Sequence, residues 1–210
     1  DFSSWQMVSD ENDVVTYVAQ YNSCDVGLGF VQNRVVSYSG SASNLVIPSS
    51  WNGYEITVID NNAFWNCSSL AYITLPSGLT SIGGGAFHGC FRLMSITLPS
   101  GLESIGDAAF YGCNSLGNVT IPDGATTIGN SAFSNMSGLL RVDIPSSITS
   151  IGSGVFSNSS MLRTIYYGGT SAEWDVLTDG VDLGLSDTAI VYCYSENAPT
   201  EAGNYWHYVN

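Results

Sequence analysis

One spacing dominates this chain of 210 residues: the same residue types recur every 23 positions. Leu70, Leu93, Leu116, Leu139 and Leu162 form one column. Ile73, Ile96, Val119, Val142 and Ile165 form a second, and Phe64, Phe87, Phe110, Phe133 and Phe156 a third. Pro76, Pro99, Pro122 and Pro145 keep step, as do Ile82, Ile105, Ile128 and Ile151, and Ala86, Ala109, Ala132 and Val155. A period in this range means a stacked array in which each unit touches only its neighbours.

The unit can be read physically. Leu-x-x-Ile-x-Leu-Pro alternates apolar and polar residues in its second half, which predicts a short strand with one buried face. Proline ends that strand because it has no N–H to give to a ladder. A second extended stretch ends at Ile82, Ile105, Ile128 and Ile151. The glycines that follow (Gly83, Gly106, Gly129 and Gly152) are expected to turn the chain with positive φ. Asn61, Gly84, Asp107, Asn130 and Ser153 are all favoured helix N-caps. Asn66, Gly89, Gly112, Asn135 and Asn158 tolerate the left-handed conformation that closes a helix. One helical turn carrying Ala and Phe inward is therefore expected between those two columns. The apolar side chains of one unit are too few to offset the ordering of its backbone, so coils must stack to fold.

These residues are similar to one known pattern. L-x-x-I-x-L-P-x-x-L-x-x-I-G-x-x-A-F-x-x-C resembles the BspA-like, or treponemal, class of leucine-rich repeats, most closely from Leu70 to Met161. A looser unit runs from Val46 to Ser69, with Ile59, Ala63, Phe64 and Cys67 in register and a protruding loop at Trp51-Asn-Gly-Tyr54. Gly78, Gly101, Gly124 and Ser147 stand where commoner classes place an Asn or Cys, which favours this class. The resemblance implies an α/β fold: a right-handed leucine-rich-repeat solenoid with short parallel strands, one-turn helices and β-rich terminal caps. It also implies a secreted or surface-attached bacterial protein of adhesin or binder type.

Three stretches of one continuous domain are expected: an N-terminal β cap over 1–45, the repeats over 46–169 and a C-terminal cap over 170–210. Val14–Val18, Arg34–Tyr38, Thr188–Tyr194 and Tyr205–Val209 read as cap strands. Thr170-Ser-Ala-Glu173 reads as a capping box opening a short helix through Trp174 and Leu177.

Charge narrows the partners. Four arginines, no lysine and 18 acidic residues give a net charge of −14. Binding to nucleic acid or to an anionic membrane depends on clustered cations, so neither is expected. No apolar run approaches the ~20 residues of a membrane span. The chain begins at Asp1 without Met and shows no export signal; one that had been removed would fit a secreted or cell-surface location.

Catalytic signals are sparse. Cys67, Cys90 and Cys113 share a column that continues as Met136 and Ser159, which reads as a packed slot of free thiols rather than disulfides or a metal site. Cys24 and Cys193 belong to opposite caps and are not expected to pair. His88 and His207 are the only histidines; His207 reads as cap packing, and no fixed acid or G-x-S-x-G elbow accompanies either. Asp179, Asp182 and Asp187 lack the order of a calcium loop. No enzyme, metal or cofactor is expected.

What remains is surface. On the strand face, Tyr72, Arg92, Asn118, Arg141, Asp143, Arg163 and Tyr166 are candidate contacts. On the opposite side, Trp65, His88, Tyr111 and nearby Phe91 form an aromatic row. The expectation is a non-enzymatic, monomeric binding module that recognises an extracellular protein of a host or neighbouring cell. A glycan held by the aromatic row is the alternative, and a bare structural spacer a third.

Overall fold

In the computed structural model, residues 27–195 are described with their side chains, and Trp5–Ser9, Val15–Ala19, Val26 and Tyr205–Trp206 as strand backbone alone. Cys24, His207 and the Tyr208–Val209 end of the last expected strand lie outside the described residues. The chain opens with β1 (Trp5–Ser9), β2 (Val15–Ala19), β3 (Val26–Val31) and β4 (Arg34–Tyr38), followed by β5 (Asn44–Val46). A hairpin of β6 (Ser50–Trp51) and β7 (Tyr54–Glu55) precedes β8 (Val58–Ile59). Each later coil then contributes two strands in turn. They are β9 (Tyr72–Thr74), β10 (Ser81–Ile82), β11 (Ser95–Ile96), β12 (Ser104–Ile105) and β13 (Asn118–Thr120), then β14 (Thr127–Ile128), β15 (Arg141–Ile144), β16 (Ser150–Ile151) and β17 (Thr164–Tyr167). Helix α1 (Ser171–Leu177), β18 (Ile190–Tyr194) and β19 (Tyr205–Trp206) complete the order.

The result is a parallel β-solenoid of about seven coils with very little helix, the leucine-rich-repeat architecture that the family resemblance implies. One ladder runs β4-β8-β10-β12-β14-β16 in parallel, with the antiparallel β1–β4 meander at its start. On another side β5-β9-β11 and β13-β15-β17-β18-β19 form two parallel stretches. Register follows the period: Ser81 faces Ser104, Asn118 faces Arg141, and Val142 faces Ile165.

The phenylalanine column is the spine of the core. Phe64, Phe87, Phe110, Phe133 and Phe156 are at most 1% exposed. Their rings stack at 5.1, 5.3, 5.4 and 6.2 Å between centroids, and Tyr38 meets the first of them.

Three local expectations need correction. No helical turn forms between the two polar columns. Ala63, Trp65 and Cys67 donate to the carbonyls three residues back, while Asn62, Phe64 and Asn66 donate to Gly84, Ala86 and His88 of the next coil. A helix would need every N–H turned along one axis; here alternate amides are committed to the neighbouring coil. Left-handed residues at both Asn62 (φ 59°) and Asn66 (φ 55°) fix this chain of turns. Secondly, the glycines after Ile82, Ile105, Ile128 and Ile151 are absent from the positive-φ residues. They are there for room: a Cβ on Gly106 would lie 2.5 Å from the Gly84 nitrogen, and one on Gly83 2.7 Å from that of Asn61. Thirdly, the N-cap column caps across coils. The Asn61 Oδ1 accepts from Gly84 N at 2.7 Å, and the Asn130 Oδ1 from Ser153 N at 2.9 Å.

Two other local readings hold. Trp51-Asn-Gly-Tyr54 is a two-residue hairpin with φ of 46° and 82° at Asn52 and Gly53, the geometry for which Asn-Gly is preferred. Trp51 stacks on Phe30 at 4.7 Å. The capping box is formed as well: Thr170 N donates to Glu173 Oε2 at 2.7 Å, and Glu173 N to Thr170 Oγ1 at 3.3 Å.

Candidate binding surface

Parallel strands in register place side chains of one parity in columns on one face. The outward columns on the strand side read Asn44, Tyr72, Ser95, Asn118, Arg141, Thr164, Ile190 and, two positions on, Val46, Thr74, Thr120, Asp143, Tyr166, Tyr192. Near the C-terminal end these columns form a joined cluster. The Arg141 Nε donates to Asp143 Oδ1 at 2.7 Å and its Nη2 to Oδ2 at 3.0 Å, and Thr120 Oγ1 donates to the same Oδ2 at 3.1 Å. The guanidinium carbon lies 4.3 Å from the centroid of the Tyr166 ring, which stacks on Tyr192 at 5.3 Å. Hydrogen bonding to Asp143 raises the Arg141 pKa above its ordinary value. Beside the cluster a recess of about 410 Å³ opens between Thr120, Asp123, Pro145 and Gly168.

The other strand-side candidates separate by role. Arg163 Nη1 donates to the Ser160 and Leu162 carbonyls and to Thr188 Oγ1, at 2.8, 3.2 and 3.1 Å, so it ties the C-terminal return to the last coil. Arg92 is exposed and has no hydrogen bond or ion pair among the described residues. Asn118 is exposed directly across from Arg141. Tyr72 is half exposed and its hydroxyl donates to Met94 Sδ at 3.3 Å. Around them Phe91, Met94, Leu140, Met161 and Ile190 are also exposed. Sequence reasoning passed over Ile190 and Tyr192 because Tyr192 lies 26 positions after Tyr166 rather than 23.

On the opposite side Trp65, His88 and Tyr111 stack face to face, at 3.8 Å and 4.6 Å between centroids and within 5° of parallel. Both faces of His88 are covered by its neighbours, so it offers a ligand only its edge. Its Nδ1 is buried without a hydrogen-bond partner, and burial lowers its pKa. A broad open depression of about 870 Å³ runs along these ring edges past Asn62, Gly85 and Asp107. Phe91 makes no ring contact with the row; it sits on the approach to the strand face beside Arg92.

The thiols are built into the backbone network. Cys90 Sγ donates to the Phe64 carbonyl at 3.1 Å and Cys113 Sγ to that of Phe87 at 3.2 Å, while Ser159 Oγ donates to Phe133 at 2.8 Å in the same slot. Cys67, Cys90, Cys113 and Cys193 are free and buried. Burial pushes the Cys113 thiol up to about 12, and hydrogen bonding to Cys67 together with burial raises that of Cys90. Such thiols carry almost no thiolate at neutral pH and are poor nucleophiles. Among the described residues no group of three His, Cys, Asp or Glu side chains is placed to hold a metal ion, and no helix is long and apolar enough to cross a membrane.

The BspA type leucine rich repeat region matches residues 31–174 in six copies. The chain belongs to this family. Its repeats are of a kind generally used as a non-catalytic binding or scaffold fold. A leucine rich repeat protein of T. pallidum is 35% identical, with a TM-score of 0.62, over 63% of this chain and 62% of that one. The pneumococcal vaccine antigen PcpA is 26% identical, with a TM-score of 0.68, over 82% of this chain and 42% of that one. A leucine-rich repeat protein from Eubacterium ventriosum shares the fold at 23% identity and a TM-score of 0.61, over 79% of this chain and 45% of that one. The repeat chain thus spans between two fifths and two thirds of the length of these structures. No curated protein is similar to it.

Proposed function

We propose that this BspA-type repeat chain is a non-catalytic binding module, secreted or displayed at a bacterial surface, which recognises an extracellular protein through its strand face. The observation that carries the reading is the cluster of Arg141, Tyr166 and Tyr192, flanked by exposed Tyr72, Met94, Leu140 and Ile190. Tyrosine and arginine dominate the energetics of protein interfaces, and their side chains here are already held by one another, so little rotamer entropy is lost on docking. In the aromatic row opposite, His88 has both ring faces covered by Trp65 and Tyr111 and so offers a sugar no face to stack on. Similarity to a vaccine antigen is consistent with surface display.

The test is biolayer interferometry against a panel of extracellular-matrix proteins. For any partner found, the double variant Arg141→Ala/Tyr166→Ala is expected to weaken binding at least about tenfold. Trp65→Ala, on the far side, leaves it unchanged. The reverse pattern transfers recognition to the aromatic row and overturns this reading.

A further inference from the structure

A second surface stands apart from the strand face. Down the long ladder each coil closes the same contact. The Thr57 carbonyl accepts from the N–H groups of Thr80 and Ser81, Thr80 from Glu103 and Ser104, Glu103 from Thr126 and Thr127, and Thr126 from Thr149 and Ser150. Thr149 comes next, and its carbonyl has no donor among the described residues. The positions 23 further on, Ala172 and Glu173, lie in α1, where the Glu173 N–H is committed to Thr170 Oγ1. Thr149 and Ser150 are exposed, so the ladder ends on an open edge. Beyond it the return loop takes over, Gly154 N donating to the Asp182 carbonyl.

Alongside this edge a groove of about 540 Å³ runs between residues 146–149 and α1, lined by Ile148, Tyr167, Ala172, Val176 and Leu177 with Glu173 on its rim. Val176 is 79% exposed, more than any other large apolar side chain among the described residues. Asp175 and Asp179 are exposed on and just after the same helix. The chain as a whole carries −14 and no lysine.

We propose that this groove docks an extended, lysine- or arginine-bearing segment of another protein as an added strand on the β16 edge. The segment donates a backbone N–H to the Thr149 carbonyl and lays an aliphatic side chain against Ile148 and Val176. It sets its cation beside Glu173. The three parts of the site ask for the same occupant. An unpaired strand edge is a template for strand addition, an apolar recess gives an anchor, and an acidic rim selects positive charge. A second copy of this chain fits poorly, because two bodies of −14 without lysine repel.

The probe is the blocked hexapeptide Lys-Thr-Val-Thr-Ile-Lys, titrated into the ¹⁵N-labelled full chain. Shifts are expected at residues 146–151 and 172–177, with a dissociation constant below about 1 mM. N-methylation of its two central amides removes the backbone donors while keeping every side chain, and is expected to weaken binding at least about tenfold. Val176→Arg, at an exposed position, is expected to weaken it at least about tenfold without lowering the melting temperature. Four results overturn the proposal: no shifts at about 1 mM, equal binding of the N-methylated peptide, shifts confined to Arg141 and Tyr166, or self-association that Val176→Arg abolishes. The strand-face reading survives all four, and the third supports it.

Discussion

Phe110 is the sharpest point at which to strain the stack. Its side chain is fully buried and its ring lies between Phe87 at 5.3 Å and Phe133 at 5.4 Å. Truncating a buried Phe to Ala costs about 3–5 kcal/mol through lost transfer energy and the cavity left behind. The neighbouring rings sit on fixed backbones bonded coil to coil, so little collapse is available and the upper end is expected. Two ring contacts, each worth about 0.5–1.5 kcal/mol beyond burial, vanish in the same step. Phe156 has only one ring neighbour in the column, 6.2 Å away, so Phe156→Ala is expected to cost less. Phe91→Ala, at a half-exposed position, should cost under about 1 kcal/mol. Urea unfolding followed by tryptophan fluorescence and far-ultraviolet circular dichroism measures all three. A Phe110→Ala cost below about 1 kcal/mol, or one equal to that of Phe91→Ala, refutes the reasoning.

Other expectations follow from single contacts. Gly106→Ala forces a Cβ to 2.5 Å from the Gly84 nitrogen and is expected to cost about 1–3 kcal/mol, whereas Gly101→Ala, whose Cβ would lie 3.8 Å from its nearest neighbour, stays within about 0.5 kcal/mol by thermal unfolding. Thiol titration of the unfolded chain should count all five cysteines, while in the folded chain Cys90 and Cys113 react last; a count of three would mean a disulfide. Because burial lowers the His88 pKa from its ordinary 6.5, the unfolded chain takes up that proton first, so its share of stability is present above pH 6.5 and lost as pH falls through the folded value. His88→Phe should therefore flatten the fall in stability as pH drops below 6.5, and an unchanged slope would count against the buried stack.

Much of this architecture was legible because the columns are one-dimensional. Leu, Ile and Phe at a fixed spacing admit no arrangement but stacked coils, and the left-handed sites at Asn66, Gly89, Gly112, Asn135 and Asn158 were visible as residue types. What escaped was anything decided between coils. Gly106 looks the same in sequence whether it supplies positive φ or makes room for Gly84. Asn61 looks like a cap for its own turn, although it caps the next one. The turns themselves mimic a helix locally, and only the bonds from Phe64 to Ala86 and from Asn66 to His88 distinguish them. The candidate surface was half legible for a related reason. Arg141, Asp143 and Tyr166 share one period and were found, whereas Tyr192 joins them after a cap insertion that breaks the count. Arg163 showed its charge but not its commitment to the Ser160 and Leu162 carbonyls.

Residue-resolved hydrogen exchange tests the stacking most directly. The amides of Phe64, Phe87, Phe110 and Phe133 each donate to the next coil, at 2.8, 2.8, 2.9 and 3.0 Å, from beneath a closed ring column. They are expected to exchange only through global unfolding, with one shared protection free energy, while Asn52 and Gly53 at the exposed hairpin tip exchange freely. Phenylalanine amides that exchange as fast as that tip would contradict the stacked coils on which the rest depends.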